Sequence, residues 1–219
     1  MLTNTIKTFT SCAARWETVL ERIVSCHELH SKWINTLSFL ENCGAKKISA
    51  SEHPTQVKKE VLKHAAEEFR HAFYLKTQIA RITHEPFLNY SIENMLGGNS
   101  IKYYLQLLDL RTCKVLKNQY HFSGQKLKTT AYVLVTSAIE MRASELYPIY
   151  HDVLKSSGSK ITIKSIILEE QEHLEEMESE LSTMPQASEL LSYACKFESE
   201  LCLQLINYLE KHIEKPCLV

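Results

Sequence analysis

The chain has 219 residues, of which 44% are hydrophobic, and it contains only 5 glycines and 5 prolines. So few chain-breaking residues argue against an all-β fold, which needs a turn about every 8–12 residues, and favour helices around a sizeable core. The formal net charge of −1 and the pI near 6.8 exclude a strong overall attraction to nucleic acid or to a membrane surface.

The first predicted helix runs from about residue 11 to 43, because Gly44 is typical of the residue that follows a helix end. The second is predicted over about 54–83, with Pro54 at its first position. Residues 84–124 form a less regular connector. Gly97 and Gly98 interrupt it, and a shorter helix is expected over about 100–117.

The third long helix is predicted over about 125–155, and Pro148 inside it should kink or shorten it. Its segment TAYVLVTSAI is rich in β-branched residues, but the continuation EMRASELY favours a helix. The turn SSGS at 156–159 precedes a fourth helix over about 160–182. A fifth helix is expected over about 186–211.

Two long helical hairpins joined by one long connector indicate an all-α fold, the ferritin-like form of the four-helix bundle. We therefore expect one domain over residues 1–219. It contains the crossover connector 84–124 and an additional C-terminal helix.

The seven cysteines are an odd number at irregular spacings, and no C-x-x-C pair occurs among them. This argues against a cysteine zinc site, and we expect reduced thiols in a cytoplasmic protein. The N-terminus has no apolar leader, and no run of about 18 apolar residues occurs. We therefore expect no membrane-spanning segment and no membrane partner.

The pattern Glu-Glu-x-x-His occurs twice, as EEFRH at 67–71 and EEQEH at 169–173. In each copy the second Glu and the His share one helical face, because positions i and i+3 are neighbours there. These pairs are Glu68 with His71 and Glu170 with His173. Glu170 falls in an apolar stripe, where a carboxylate needs a partner or a metal ion. The first acids, Glu67 and Glu169, are expected to face solvent.

A site for two metal ions in such a bundle also needs one Glu from each remaining helix. Side chains at one height in a hairpin are about equally far from its turn, which matches Glu140 with Glu170 and Glu28 with Glu68. Glu28 faces away from the most apolar side of its helix, so Glu41 and His30 remain alternatives. Carboxylates combined with imidazoles suit two iron ions, with manganese as an alternative.

Two further side chains lie close to these ligands in the sequence. His64 precedes Glu68 by one turn on the same face, so it either orients a ligand or is a buried structural histidine. Tyr147 lies on the Glu140 side of its helix. It is a candidate catalytic residue, with ordinary packing as the alternative.

Three stretches resemble the bacterial tRNA hydroxylases that act on 2-methylthio-isopentenyladenosine, within the ferritin-like di-iron carboxylate superfamily. They are AAEEFRHAF (65–73), AIEMRASELY (138–147) and LEEQEHLEE (168–176), and CHELHSKW (26–33) matches more loosely. The resemblance implies metal ligation by Glu28, Glu68, His71, Glu140, Glu170 and His173. It also implies a monooxygenase that activates O2 with electrons from an external donor and hydroxylates an organic substrate, with tRNA as a candidate.

Other readings of the same site are a rubrerythrin-like or ferritin-like protein that handles iron or scavenges peroxide, and a helical interaction protein with a vestigial metal site. The lysines are either an RNA-binding patch or ordinary solvated side chains. They fall in two groups, Lys46, Lys47, Lys58, Lys59 and Lys63, and then Lys114, Lys117, Lys126 and Lys128. The sequence leaves the oligomeric state open.

Overall fold

The computed structural model describes residues 8–84 and 89–213, and in these ranges it contains helices and no strand, as the sequence predicts. The α-helices are α1 (Ala13–Val24), α2 (His27–Ser51), α3 (Lys59–Gln78), α4 (Gly98–Lys102), α5 (Tyr104–Asn118), α6 (Gly124–Ser156), α7 (Lys164–Ser182) and α8 (Ala187–His212). Short 3-10 turns lie at Ile79–Arg81 and Ile92–Asn94. Within the described ranges, no helix combines the length and apolarity that crossing a bilayer requires.

Two helical hairpins supply the frame of the molecule. Helix α2 packs along α3 and helix α6 along α7, and the hairpins meet through contacts of α2 with α6 and of α3 with α7. Helices α1, α5 and α8 pack on the outer side of α6. Helix α6 is therefore buried on several sides, which explains why its sequence is apolar around much of its circumference. It spans 124–156 despite Pro148, so the proline does not end it.

The first predicted helix is two helices, and its predicted end is wrong. The helix is interrupted at Ser25 and Cys26, where Cys26 has extended backbone angles. Neither glycine nor proline marks this interruption in the sequence. Helix α2 then continues through Gly44 to Ser51. A glycine inside a helix costs about 1 kcal/mol relative to alanine. Burial of Ala45 and Ile48 just beyond it offsets this cost.

The loop of the first hairpin therefore lies later than expected, at residues 52–58. Pro54 belongs to this loop and does not begin helix α3, which starts at Lys59. In the second hairpin, helix α7 starts at Lys164 and not near 160. The non-helical residues before it bury Ile161 and Ile163 in the core, and this burial favours the non-helical path.

The connector holds α4 and α5, which replace the single short helix predicted over 100–117. Gly97 and Gly98 both have positive φ, at 98° and 53°. A Cβ on Gly97 would lie 2.7 Å from Cδ1 of Leu205 on α8, so this turn requires glycine for both conformation and space. Helix α5 is thereby held between α6 and α8.

A buried polar cluster joins α6 to α8 on the side away from the Glu-x-x-His motifs. Arg142 donates hydrogen bonds of 2.8 Å to both oxygens of Glu198, and Tyr104 donates another of 2.6 Å to the same carboxylate. Arg142 also pairs with Glu145 and donates to the carbonyl oxygen of Thr10 at 3.0 Å. In the segment 139–145, Arg142 and Glu145 therefore stabilise the packing of the helices.

The cysteines within the described ranges follow the sequence prediction except at one position, and Cys217 lies outside those ranges. Among the described residues, the free thiols are Cys12, Cys43, Cys113, Cys195 and Cys202. Cys26 is disulfide-bonded, so the prediction of a reduced thiol is wrong at this position. Pairing depends on how close two Cβ atoms come in the fold, and irregular sequence spacing does not report that distance.

Candidate metal centre

A single buried cluster collects acids and histidines from all four helices of the two hairpins. None of the seven residues is more than 8% exposed. The cluster consists of Glu41 on α2, His64, Glu68 and His71 on α3, Glu140 on α6, and Glu170 and His173 on α7. Charged groups at this depth are rare unless they are paired or bind a metal ion.

The cluster divides into two groups of four ligands that share Glu68. In each group the ligand atoms lie within 4.8 Å of one another, which is close enough to surround one ion. The first group is His64, Glu68, Glu140 and His173, which we call the two-histidine subsite. The second is Glu41, Glu68, His71 and Glu170, which we call the one-histidine subsite.

The buried atoms of this cluster lack the hydrogen bonds that such atoms normally have. No well-aligned hydrogen bond from the described residues reaches these six atoms: Nε2 of His64, Oε1 of Glu68, Nδ1 of His71, Oε2 of Glu140, Oε1 of Glu170 and Nδ1 of His173. A buried polar atom without a partner is costly. Acceptor atoms that converge in this way fit two bound divalent cations, so the residues suit the metal site that the motifs predict.

The structure brings five of the six predicted ligands together and corrects the sixth. Glu28 lies outside the cluster, where its side chain is 70% exposed and pairs with Lys32 at 2.8 Å. Glu41 takes its place. Because the loop lies at 52–58, Glu41 and Glu68 are about equally far from its centre. The loop lies later in the chain than the sequence predicts, and this shift makes Glu41 the residue at the height of Glu68.

The other alternative for that position, His30, is buried but does not reach the cluster. Its Nε2 is 2.7 Å from the hydroxyl of Tyr150, and this bond satisfies it inside the core. Tyr147, by contrast, contacts the cluster directly, because its hydroxyl donates a hydrogen bond to Oε1 of Glu41. Burial and the nearby Glu41 carboxylate raise the pKa of Tyr147 well above its ordinary value, so it stays a donor.

The first acid of each motif faces the histidine of the other motif. Nε2 of His71 lies 2.6 Å from Oε2 of Glu169, and Nε2 of His173 lies 2.9 Å from Oε2 of Glu67. The prediction that Glu67 and Glu169 face solvent is therefore wrong. With Nε2 carrying the proton, each Nδ1 presents its lone pair to the cluster, which is the tautomer that a metal ligand needs. The additional glutamate at the start of both motifs was the sequence feature that could have indicated these contacts.

Burial and close contact shift the acid–base behaviour of the cluster. Burial raises the pKa of Glu68 to about 7, helped by the neighbouring carboxylates of Glu41 and Glu170. Burial opposes a charge on His71 and His173. The close carboxylates, Glu170 first in both cases, outweigh the effect of burial and raise the pKa values of His71 and His173 to about 12 and about 10. Without metal, protons therefore occupy positions that a cation would take.

A pocket of about 310 Å³ opens onto the cluster. Its inner end is formed by the carboxylate side chains of the cluster, and Gly44 beside Glu68 keeps that end free of a side chain. Its walls are mostly apolar and come from α2, α5 and α6, including Leu37, Leu105 and Val135. At the outer end, Lys47 on α2 and Asp109 on α5 form an ion pair of 2.9 Å.

Comparison with known protein families, with curated proteins and with solved structures found no match for this chain.

Proposed function

We propose that the protein is a di-iron oxygenase on a ferritin-like bundle, which activates O2 and hydroxylates an organic substrate. One observation carries the proposal: two buried ligand groups share Glu68 and open onto an apolar pocket. Two bound ferrous ions would supply the reducing electrons for O2, and an external donor would restore them. Manganese is the alternative metal, because it accepts the same ligand set.

The chain's own residues have separate tasks in this proposal. Glu68 lies between the two subsites, and Glu41 and Glu140 each serve one of them. Glu67 and Glu169 keep the imidazole rings of His173 and His71 oriented. Tyr147 holds Glu41 through its hydroxyl and also lines the pocket, which supports a role for it beside a bound substrate.

The pocket favours an organic substrate over simple iron storage or peroxide removal. Its volume lies at the lower end of the range of about 300–1,000 Å³ for small-molecule sites, and its walls suit an uncharged, apolar part of a substrate. The lysines near the first loop give little support to an RNA surface. Lys47, Lys58 and Lys63 are each paired with an acid, at 2.9, 3.2 and 2.7 Å. A modified tRNA nucleoside stays a candidate through the sequence resemblance.

Metal analysis with oxygen exposure tests the proposal. Protein loaded with ferrous ions without oxygen should hold about two irons per chain and should change its absorption spectrum when O2 is admitted. Glu68→Ala should remove both properties, because Glu68 belongs to both subsites, while the exposed Glu28→Gln should keep both. Wild-type protein without metal above trace levels would overturn the proposal.

A second measurement separates an oxygenase from an iron-handling protein. Val135→Trp should fill the pocket, and Leu110→Trp, at an exposed position on α5, is its control. Toluene, observed by ligand NMR, should bind the wild type and the control but not Val135→Trp. Iron oxidation at undiminished rate with no toluene binding to any variant would favour iron handling instead.

A further inference from the structure

His64 occupies the position of a metal ligand, although neither Glu-x-x-His motif includes it. Its Nε2 lies 3.2 Å from Oε1 of Glu140 and 3.5 Å from Oε1 of Glu68. The side chain is 1% exposed, and this nitrogen has no hydrogen bond among the described residues. Positions 64, 68 and 71 share one face of α3, so a single helix presents three ligands to the cluster.

The other ring nitrogen of His64 has a hydrogen-bond partner on a neighbouring helix. Nδ1 lies 3.4 Å from the hydroxyl of Tyr132 on α6. Burial, together with the Glu140 carboxylate, raises the pKa of Tyr132, so its hydroxyl keeps its proton. The hydroxyl oxygen can accept a hydrogen bond from the N–H at Nδ1, and in that tautomer Nε2 is free to bind a cation beside Glu140 and Glu68.

The neighbouring histidine ring and the unpaired nitrogen both favour a cation at this place. The rings of His64 and His173 lie 4.0 Å apart between centroids, and two imidazolium cations at that distance would repel each other. Nε2 of His64 also has no hydrogen bond among the described residues, although it faces oxygens of Glu140 and Glu68. A cation between this nitrogen and these oxygens would bind all three groups.

We infer that His64 is a seventh protein ligand, and that it makes the two subsites unequal, so that the two-histidine subsite fills first with Co²⁺. The inference rests on the proposed di-metal function. The two-histidine subsite offers two nitrogens, and the one-histidine subsite offers one nitrogen with three carboxylates. Imidazole favours the later first-row divalent ions, whereas carboxylate oxygen suits Mn²⁺.

Proton NMR of the protein titrated with Co²⁺ tests this inference without an activity assay. Each ligated imidazole keeps one N–H, and unpaired electrons on Co²⁺ shift its resonance far outside the normal range. In the ligated form, the remaining N–H of His64 donates to Tyr132, that of His173 to Glu67 and that of His71 to Glu169. All three rings are buried, so exchange with water should be slow enough for detection.

The first equivalent of Co²⁺ should produce the shifted signals of His64 and His173, and the second should add that of His71. His64→Gln should lose one signal and weaken the first binding step at least about 10-fold, a loss comparable to that of a supporting residue. His30→Gln is the matched control, because His30 is equally buried but bonded to Tyr150 outside the cluster. It should leave the titration unchanged.

A fully loaded protein that shows only the signals of His71 and His173 would overturn the assignment of His64 as a ligand. A first equivalent that produces the His71 signal would overturn the filling order. The count of signals in the wild type decides the first point even if His64→Gln fails to fold. Wild-type protein that binds no Co²⁺ would contradict the proposed function as well, whereas two bound ions without a His64 signal would contradict this inference alone.

Discussion

Glu169 lies 2.6 Å from Nε2 of His71, although the two residues are 98 positions apart in the chain. The reciprocal pair, Glu67 with His173, spans 106 positions at 2.9 Å. Each Glu-Glu-x-x-His motif therefore supplies two groups to the cluster and one supporting acid to the other motif. This exchange gives a physical reason for the repeated five-residue pattern.

Loss of either supporting acid should weaken the subsite of the histidine that it holds. Glu169→Gln should lower metal affinity at the His71 subsite about 10–100-fold, the effect usual for groups that orient a metal ligand. Glu67→Gln should act in the same way on the His173 subsite. Co²⁺ titration followed by absorption would measure both. Glu172→Gln, an exposed acid on α7, is the control, and equal affinities in all three variants would contradict the assigned role.

Helix α2 carries both the predicted ligand, Glu28, and the glutamate found in the cluster, Glu41, so substitution of each one gives a direct comparison. Glu41→Gln should reduce bound iron from about two per chain to one or fewer, since it removes a carboxylate oxygen from a buried ligand group. Glu28→Gln should leave the iron content unchanged, because the Glu28 side chain is exposed and lies outside both ligand groups. Metal analysis of both variants decides the matter. Iron loss in Glu28→Gln with full content in Glu41→Gln would reverse the assignment.

Metal binding should release protons at pH 7, and affinity should rise with pH. In the metal-free protein the pKa of His71 is raised to about 12 and that of His173 to about 10, so both rings hold a proton that competes with the ion. Raising the pH towards these values weakens the competition. Calorimetry with Zn²⁺ in PIPES and in HEPES measures the release, because these weakly metal-binding buffers take up protons with different heats. Identical heats in both buffers would show that no proton is displaced.

The ion pair that joins α6 to α8 should contribute strongly to stability. Arg142→Met should lower the free energy of unfolding by about 3–5 kcal/mol, because Glu198 would stay buried without its cation. Arg111→Met breaks a partly exposed pair with Glu200 and should cost less than about 1 kcal/mol. Urea denaturation compares them. The double variant Arg142→Met with Glu198→Leu should recover much of the loss, and a failure of Arg142→Met to destabilise would contradict the packing role.

Much of the candidate site was predictable because helix geometry is local. Residues three positions apart share a helix face in any fold, so the pairs Glu68 with His71 and Glu170 with His173 could be recognised from spacing alone. The apolar stripe around Glu170 likewise showed that this carboxylate is buried. Scarce glycine and proline indicated the all-α class in the same way, since strands and turns need more chain-breaking residues.

Tertiary structure decided what depends on distance across the fold. Gly44 is a residue typical of a helix end, but α2 continues past it because the residues that follow are buried. The loop of the first hairpin therefore lies later in the chain, and Glu41, not Glu28, lies in the cluster. The pairing of Glu169 with His71 and the approach of His64 to Glu140 join separate helices. Spacing along one helix states which side chains share a face. Only the packing of the hairpins determines which faces meet, and at what height.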